Sequence, residues 1–444
     1  DENAKVRWMM PGMILSRSQG GTFHYAGCGC TGQVPRLPSL VDAGVLKEDC
    51  THRRLRVLYL VPHHNLTGGM KMLVQQMAIL TQRGHHVIAA FRAAHGRVLP
   101  PWAESLVVAS EMLISPSETY ECFLRRTRRH WDVCAVGYFT QLAELDNFWG
   151  PLLYWEQGHE HLFAEGRDAQ TLRWDLLFHH TMLRTPVALA AVSSYTAETL
   201  ALQFSRRCAV IPNGIDCTTF YPANQLDSDS VSPDGSRPNA FGGNVPTKPD
   251  GTATLGAGWR VLLVGNPMQA FKGWDVALEA LRIVSASIPE LVVTWICQQQ
   301  PTLPALPYPV QFIVDPPQSQ LPDCYRTDQD LLLFTSRFEA WGMPVLEAMA
   351  SGLPAITSSC YGVEHFAIDR QNCLLVPARD VAAVAAAVIE LLRDGTLRYA
   401  LAVRGRQTAL DFSLKKAGDA LEGALLRTSS FFSRMSWQQA MDLV

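Results

Sequence analysis

The sequence predicts an α/β protein made of two parallel-sheet units joined by a linker. Short, continuous apolar runs bounded by turn residues recur along the chain, the pattern of strands buried on both faces. Helix-length segments alternate with them, so the first three elements already form a strand–helix–strand unit with the usual right-handed crossover. A composition break at residues 223–258, rich in Gly, Pro, Asp, Asn and Ser, separates two such series. At 444 residues the chain is also too long for one ordinary core and suits two domains of about 150–200 residues each.

Residues 1–54 carry Gly and Pro punctuation without a period and read as an N-terminal extension. The first unit, residues 55–222, opens on the strand Arg56-Val-Leu-Tyr-Leu-Val61. A polar loop over 63–69 leads into a helix over 70–83, which Gly84 stops, and His86-Val-Ile-Ala-Ala-Phe91 is the second strand. Apolar segments at 133–139, 152–155, 188–192 and 209–211 continue the series. Residues 223–258 are the linker or a disordered insertion. The second unit, residues 259–412, starts on Trp259-Arg-Val-Leu-Leu-Val264 and a helix over 274–287. Strands are expected over 291–296, 310–314, 330–334 and 354–357, then an alanine-rich helix over 381–392. Residues 413–444 read as a C-terminal helical segment.

Composition excludes several function classes. Charged residues are 18% of the chain and the net charge is −3, so no basic field exists to hold a nucleic-acid backbone. No apolar run approaches the about 20 residues of a spanning helix. Eleven cysteines, an odd number scattered from Cys28 to Cys373, read as reduced thiols in a cytoplasmic protein rather than a disulfide framework. Arg125, Arg126, Arg128 and Arg129 beside Trp131 form a local basic cluster. It is either a solvated helix end or a peripheral contact to an anionic membrane.

Four loops hold candidate chemistry. The string Gly27-Cys-Gly-Cys-Thr-Gly32 matches the G-x-G-x-x-G pattern, but Pro35 and Pro38 follow where a helix must start, so it reads as chance. Thr67-Gly68-Gly69 sits between a strand and a helix, where glycines let backbone N–H groups approach an anion; the plainer alternative is a tight turn. In the second unit, Gly265-Asn266 leaves a strand and Lys272 precedes a helix, at the strand edge where α/β proteins bind ligands. The longest string is Phe334-Thr-Ser-Arg-Phe-Glu339-Ala-Trp341-Gly342-Met343-Pro344-Val-Leu-Glu347-Ala-Met-Ala-Ser-Gly352-Leu-Pro354. Pro344 suits a first helical turn and Gly352 a helix end. Glu339 in the loop and Glu347 in the first two turns would then face one cleft. There carboxylates accept from sugar hydroxyls and free N–H groups receive phosphate oxygens.

On these residues the sequence resembles the retaining GT-B glycosyltransferases, family 4 or "glycosyl transferases group 1". Glu339 and Glu347 match its E-x7-E signature. Gly68-Gly69, Gly84-His85, Val210-Ile-Pro-Asn-Gly-Ile-Asp216, Val264-Gly265 and Lys272-Gly273 repeat its other landmarks in order, over residues 56–412. The resemblance implies two facing Rossmann-like domains with parallel sheets and glycosyl transfer from a nucleoside-diphosphate-sugar donor with retention. It implies Glu347 on the ribose hydroxyls, Lys272 on the diphosphate, and Glu339 beside the transferred sugar. The backbone of Trp341, Gly342 and Met343 would lie near the sugar hydroxyls, and Gly68 and Gly69 near the phosphates. Asn266 departs from the family, which often has Arg there; one fixed positive charge fewer then faces the diphosphate. In Trp155-Glu-Gln-Gly-His159-Glu-His161, His159 stands where the family often carries a His near the donor sugar, the alternative being a structural loop histidine. A zinc site on His159 and His161 lacks an identifiable third ligand.

The catalytic set so implied is Glu339, His159 and Lys272. No metal and no cofactor are expected, because Lys and helix dipoles supply the positive charge and the nucleotide sugar is a substrate. The acceptor is a glycan, a lipid-linked sugar or a small molecule. The rival reading is a non-catalytic nucleotide-sugar-binding subunit of a glycan synthase, against which intact Glu339, Lys272 and Glu347 argue.

Overall fold

The computed structural model describes residues 9–10, 13–14, 53–145, 147–159, 168–183, 185, 187–223 and 258–434. Residues 27–32, His161 and residues 224–257 of the linker lie outside the described residues. Two compact units emerge, Asp1–Ile211 with Ala420–Val444 and Pro212–Asp419.

The first unit begins on β1 (Arg56–Val61), buried everywhere except at Arg56. Helix α1 (Gly68–Gln82) starts two residues before the expected 70, because the Thr67 side chain caps it by accepting from Met70 N at 3.2 Å. Gly68 and Gly69 are therefore its first two residues rather than loop. Then come β2 (His86–Arg92), β3 (Ser110–Ile114), α2 (Tyr120–Thr127), β4 (Val133–Val136), β5 (Leu152–Glu156), α3 (Ala169–Met182), β6 (Ala188–Ala191), α4 (Ser194–Phe204) and β7 (Ala209–Val210). The strand expected over 133–139 ends at Val136. There the side-chain oxygen of Gln141 takes both the Gly137 and Tyr138 N–H groups at 3.0 Å, leaving none for a neighbouring strand. The sheet order is β3-β2-β1-β4-β5-β6-β7, parallel throughout.

The second unit repeats the plan with β8 (Arg260–Val264), α5 (Trp274–Ser287), β9 (Val292–Cys297), β10 (Val310–Val314), α6 (Leu321–Arg326), β11 (Leu331–Phe334), α7 (Met343–Ala350), β12 (Ala355–Ser358), β13 (Leu374–Val376), α8 (Val381–Arg393) and α9 (Gly395–Asp411). Its order is β10-β9-β8-β11-β12-β13, again parallel. Helices α5 and α8 cover one core with Leu263, Leu281, Trp295, Leu333 and Val388 inside it. Each of the four aliphatic side chains among them contributes about 1.5–3 kcal/mol by leaving water.

The unit boundary falls at residue 211 rather than 222, because the chain after Ile211 is tied to the second unit. Ile215 N donates to Phe412 O at 2.9 Å, and Leu414 N to Ile215 O at 3.1 Å. The Arg406 guanidinium donates to the carbonyls of Cys217, Phe220 and Ala350. The last helix, α10 (Leu414–Arg434), enters the first unit from Ala420. Glu422 there accepts from Arg83 at 2.7 Å. It also faces His85 Nε2 at 3.1 Å, while His85 Nδ1 accepts from Leu55 N, so Nε2 is the protonated nitrogen.

The basic cluster at the end of α2 is engaged within the protein. Arg126 donates twice to Glu118 at 2.9 Å, Arg125 donates to Glu121 and to Asn147 O, and Arg128 donates to Trp131 O. Among the described residues the cysteines are free thiols, and no helix is long and apolar enough to cross a membrane.

Candidate active site

Open parallel sheets bind ligands beyond the carboxyl ends of their strands, where the strand order reverses. In the second unit that point lies between β8 and β11. The loop after β8 folds back on itself: Asn266 Oδ1 accepts from Met268 N and Asn266 O from Trp274 Nε1, both at 2.9 Å. A short 3-10 turn, Ala270–Lys272, then delivers Lys272 to the start of α5. Its Nζ donates to Glu339 Oε1 at 2.6 Å, and Ser336 Oγ donates to the same oxygen at 2.8 Å. Both charged side chains are 14% exposed, and the rings of Phe271 and Phe334 lie 5.1 and 5.6 Å from Nζ. Poor solvation strengthens the Coulomb attraction within this pair, at the cost of desolvating both charges.

Glu339 is held by its backbone as well. Its N–H donates to Cys360 O at 2.9 Å, and its carbonyl accepts from Gly362 N at 2.8 Å. Gly342 turns the chain into α7 with φ of 91°, and Pro344 occupies the first turn, as expected. Met343 is the first residue of that helix. Trp341 is 3% exposed, packed among His365, Phe366 and Phe412 with ring centres 5.1 to 5.3 Å away. Its ring is therefore part of the packing of this unit. Glu347, in the second turn of α7, accepts from the hydroxyl of Tyr325 at 2.6 Å. Tyr325 is fully buried, and burial together with the Glu347 charge holds its phenol well above the usual range, so it remains a donor.

In the first unit the order reverses between β1 and β4. Gly68 and Gly69 stand there at the start of α1, with the Gln157 amide donating to Gly69 O at 3.2 Å. His159 follows β5; its Nδ1 lies 2.8 Å from Glu156 Oε1, and its ring meets the edges of Phe139 at 4.5 Å and Tyr138 at 5.1 Å. His63 sits 6.4 Å from Tyr138 between ring centres, with burial lowering its pKa. His64 is structural: it stacks on Phe91 at 4.0 Å, and its Nε2 reaches Val98 O at 3.0 Å. Among the described residues, Glu156, His159 and His179 bring potential metal-ligand atoms within 4.8 Å of one another. Among the described residues the imidazole beside His159 is thus that of His179; His161 lies outside them.

Sequence reasoning missed Tyr325, Ser336, Glu156 and His179. Ser336 and Glu156 each lie three positions from a chosen residue, inside strings already under scrutiny. Tyr325 stands 22 positions before Glu347, and no local signal marks it.

Comparison with known proteins follows the same lines. The profile described as "Glycosyl transferases group 1" matches residues 260–408, which hold Lys272, Glu339 and Glu347. A D-inositol 3-phosphate glycosyltransferase of Xylanimonas cellulosilytica is 28% identical over 386 residues, covering 80% of this chain and 90% of that protein. Among solved structures, sucrose-phosphate synthase of Thermosynechococcus elongatus superposes with a TM-score of 0.62 at 18% identity, covering 86% of this chain and all of that one. HepE of Anabaena, solved with UDP-glucose, gives a TM-score of 0.62 at 16% identity, with 86% and 100% covered. The two parallel-sheet units are the GT-B architecture that these neighbours share. Residues 260–408 are a glycosyl transferases group 1 domain, and the chain that carries it is a glycosyltransferase.

Proposed function

We propose that the chain moves a hexosyl group from a nucleoside-diphosphate sugar to a hydroxyl acceptor, with retention at the anomeric carbon and without a metal ion. The observation that carries this reading is the Lys272–Glu339–Ser336 cluster at the point where the second sheet reverses its order. As the bond from the anomeric carbon to the diphosphate breaks, negative charge grows on the leaving group. An ammonium has three N–H donors, so the bond to Glu339 leaves two for phosphate oxygens. Pro344 has no N–H and Val345 N donates to Gly342 O at 3.1 Å, so the start of α7 adds chiefly the positive end of a helix dipole. Together they supply electrostatic stabilisation of the kind a metal gives elsewhere. Retention rests on the resemblance of Glu339 and Glu347 to the E-x7-E pattern. HepE has been solved with UDP-glucose, which makes that sugar nucleotide the first donor to try.

The test is a panel of UDP-, GDP- and ADP-sugars, with and without chelator, reading released nucleoside diphosphate, with Glu347→Ala as control. Release from one donor that survives chelation and is lost in the variant supports the reading. Donor binding with no turnover on any acceptor tried would point instead to a non-catalytic subunit, and absence of binding would sink the site.

Tyr325 gives a narrower prediction. Its hydroxyl fixes the Glu347 carboxylate, the group proposed to meet the ribose hydroxyls. Tyr325→Phe keeps the ring and removes the donor, so UDP binding by calorimetry is expected to weaken by about tenfold. The turnover number should fall far less, because ground state and transition state lose the same contact. An unchanged UDP affinity would remove Tyr325 from the donor site.

A further inference from the structure

The loop after β12 runs through Ser359, Cys360 and Tyr361 into a 3-10 turn, Gly362–His365, at the carboxyl end of the second sheet. Tyr361 has φ of 70° and ψ of −93°. Glycine enters that region freely, whereas a bulky residue is held in it only at a cost. The angles lie near the strained form of the γ-turn, in which the carbonyl before the central residue and the N–H after it point at each other. Here both serve Glu339 instead. Cys360 O accepts from Glu339 N at 2.9 Å, and Gly362 N donates to Glu339 O at 2.8 Å. The backbone of Glu339 thus closes the mouth of the turn, as an isolated parallel bridge opposite Tyr361.

The two loops meet without slack. A Cβ added at Gly362 would stand 2.0 Å from Ala340 O and 2.7 Å from Glu339 O. Strained backbone of this kind persists only where its surroundings over-determine it. Toward the sheet, Ser359 N donates to Val376 O at 2.8 Å, and Ser358 Oγ donates to Ser336 O. On the outer side, Glu364 Oε1 accepts from Ser359 Oγ at 2.6 Å and from Tyr361 N at 3.3 Å, while Glu364 N donates to Tyr361 O at 3.0 Å. Glu364 itself is exposed.

We infer that the Cys360-Tyr361-Gly362 turn is a positioning clasp for Glu339, and that Glu364 is the brace that keeps Tyr361 in its glycine-like conformation. With the chain fixed on both sides, a return of Tyr361 to negative φ would re-aim the Cys360 carbonyl or the Gly362 N–H away from Glu339. The Glu339 carboxylate, and the Lys272 ammonium bonded to it at 2.6 Å, would then lose their place. Tyr361 and Glu364 act through Glu339 and not on the substrate. This inference rests on the reading of Glu339 as the carboxylate beside the transferred sugar.

The experiment uses the full chain and two variants, Glu364→Ala alone and Glu364→Ala combined with Tyr361→Gly. Amide hydrogen exchange at Glu339 and Gly362 reads the clasp without substrate. In Glu364→Ala it should run about tenfold faster than in the wild type, the equivalent of one hydrogen bond to a charged group. Exchange in β11 should not change. With a donor that turns over, kcat should fall about tenfold as Glu339 is misplaced, and UDP affinity far less. Adding Tyr361→Gly should restore most of both losses, because glycine needs no brace to keep a positive φ. Unchanged exchange at Glu339 and Gly362 in Glu364→Ala overturns the inference. So does a loss that glycine fails to restore, or a Glu364→Ala protein that melts lower yet keeps the wild-type kcat, the mark of a contact that only stabilises. Failure of every donor to turn over counts against the functional reading alone, since exchange is read without substrate.

Discussion

Lys272→Ala is expected to lower kcat/KM for the sugar donor by about 10²–10³-fold, the usual cost of removing one group aimed at developing charge. The ammonium is a poorly solvated cation at the strand-order reversal, held by Glu339 at 2.6 Å and flanked by Phe271 and Phe334. Charge on the leaving diphosphate grows as the reaction proceeds, so most of the loss should appear in kcat and less in UDP affinity. Lys272→Arg should recover part of it. A guanidinium keeps the charge, but its planar fork is not matched to the single Glu339 oxygen that Lys272 Nζ meets. Kinetics with the identified donor, UDP binding and a melting curve separate the possibilities. A protein that melts lower yet turns over normally would reduce Lys272 to a structural partner of Glu339.

The parts of this protein legible in its sequence are those whose physics is local. Strands such as β1 and β8 show as continuous apolar runs because both of their faces are buried. β3 escaped because it lies at a sheet edge and alternates exposed with covered residues, and β13 because it is three residues long. α3 and α4 escaped as well, although the strands on either side of them were found. Lys272, Glu339 and Glu347 could be picked because each sits in a short string whose spacing is tied to one strand–loop–helix unit. Their partners could not. Tyr325 meets Glu347 only because α6 packs beside α7, and His179 meets Glu156 only because α3 returns over β5. Such pairings belong to the tertiary fold, and an isolated tyrosine or histidine in a sequence is usually a packed residue. His159 was the visible member of its string, whereas the buried anchor was Glu156.

Gly273→Ala is expected to be among the most damaging single-atom additions to the second unit. Gly273 has φ of 70°, and a Cβ there would stand 2.1 Å from the Thr335 carbonyl oxygen. Left-handed backbone costs a residue with a side chain about 1–2 kcal/mol. The clash adds to that, because a backbone carbonyl at the end of a core strand cannot rotate away. The Thr335 hydroxyl binds the carbonyls of Lys272 and Gly273, so pushing Thr335 aside also disturbs the lysine. A loss of about 3–5 kcal/mol follows, which lowers the melting temperature of a unit this size by roughly 6–20 °C and takes donor binding with it. Gly69→Ala is the counterpart. Its Cβ would meet the Gln157 side-chain amide at 3.4 Å, ordinary contact with a flexible group, and its backbone does not require glycine. Stability should hold or rise by about 0.5 kcal/mol. Both glycines adjoin loops expected to carry phosphates, and either substitution can abolish activity. Only a loss in Gly69→Ala with an unchanged melting curve would identify a ligand at the glycine itself, because there the fold leaves room for the added carbon. Full activity in Gly69→Ala would make the start of α1 a tight turn and no more.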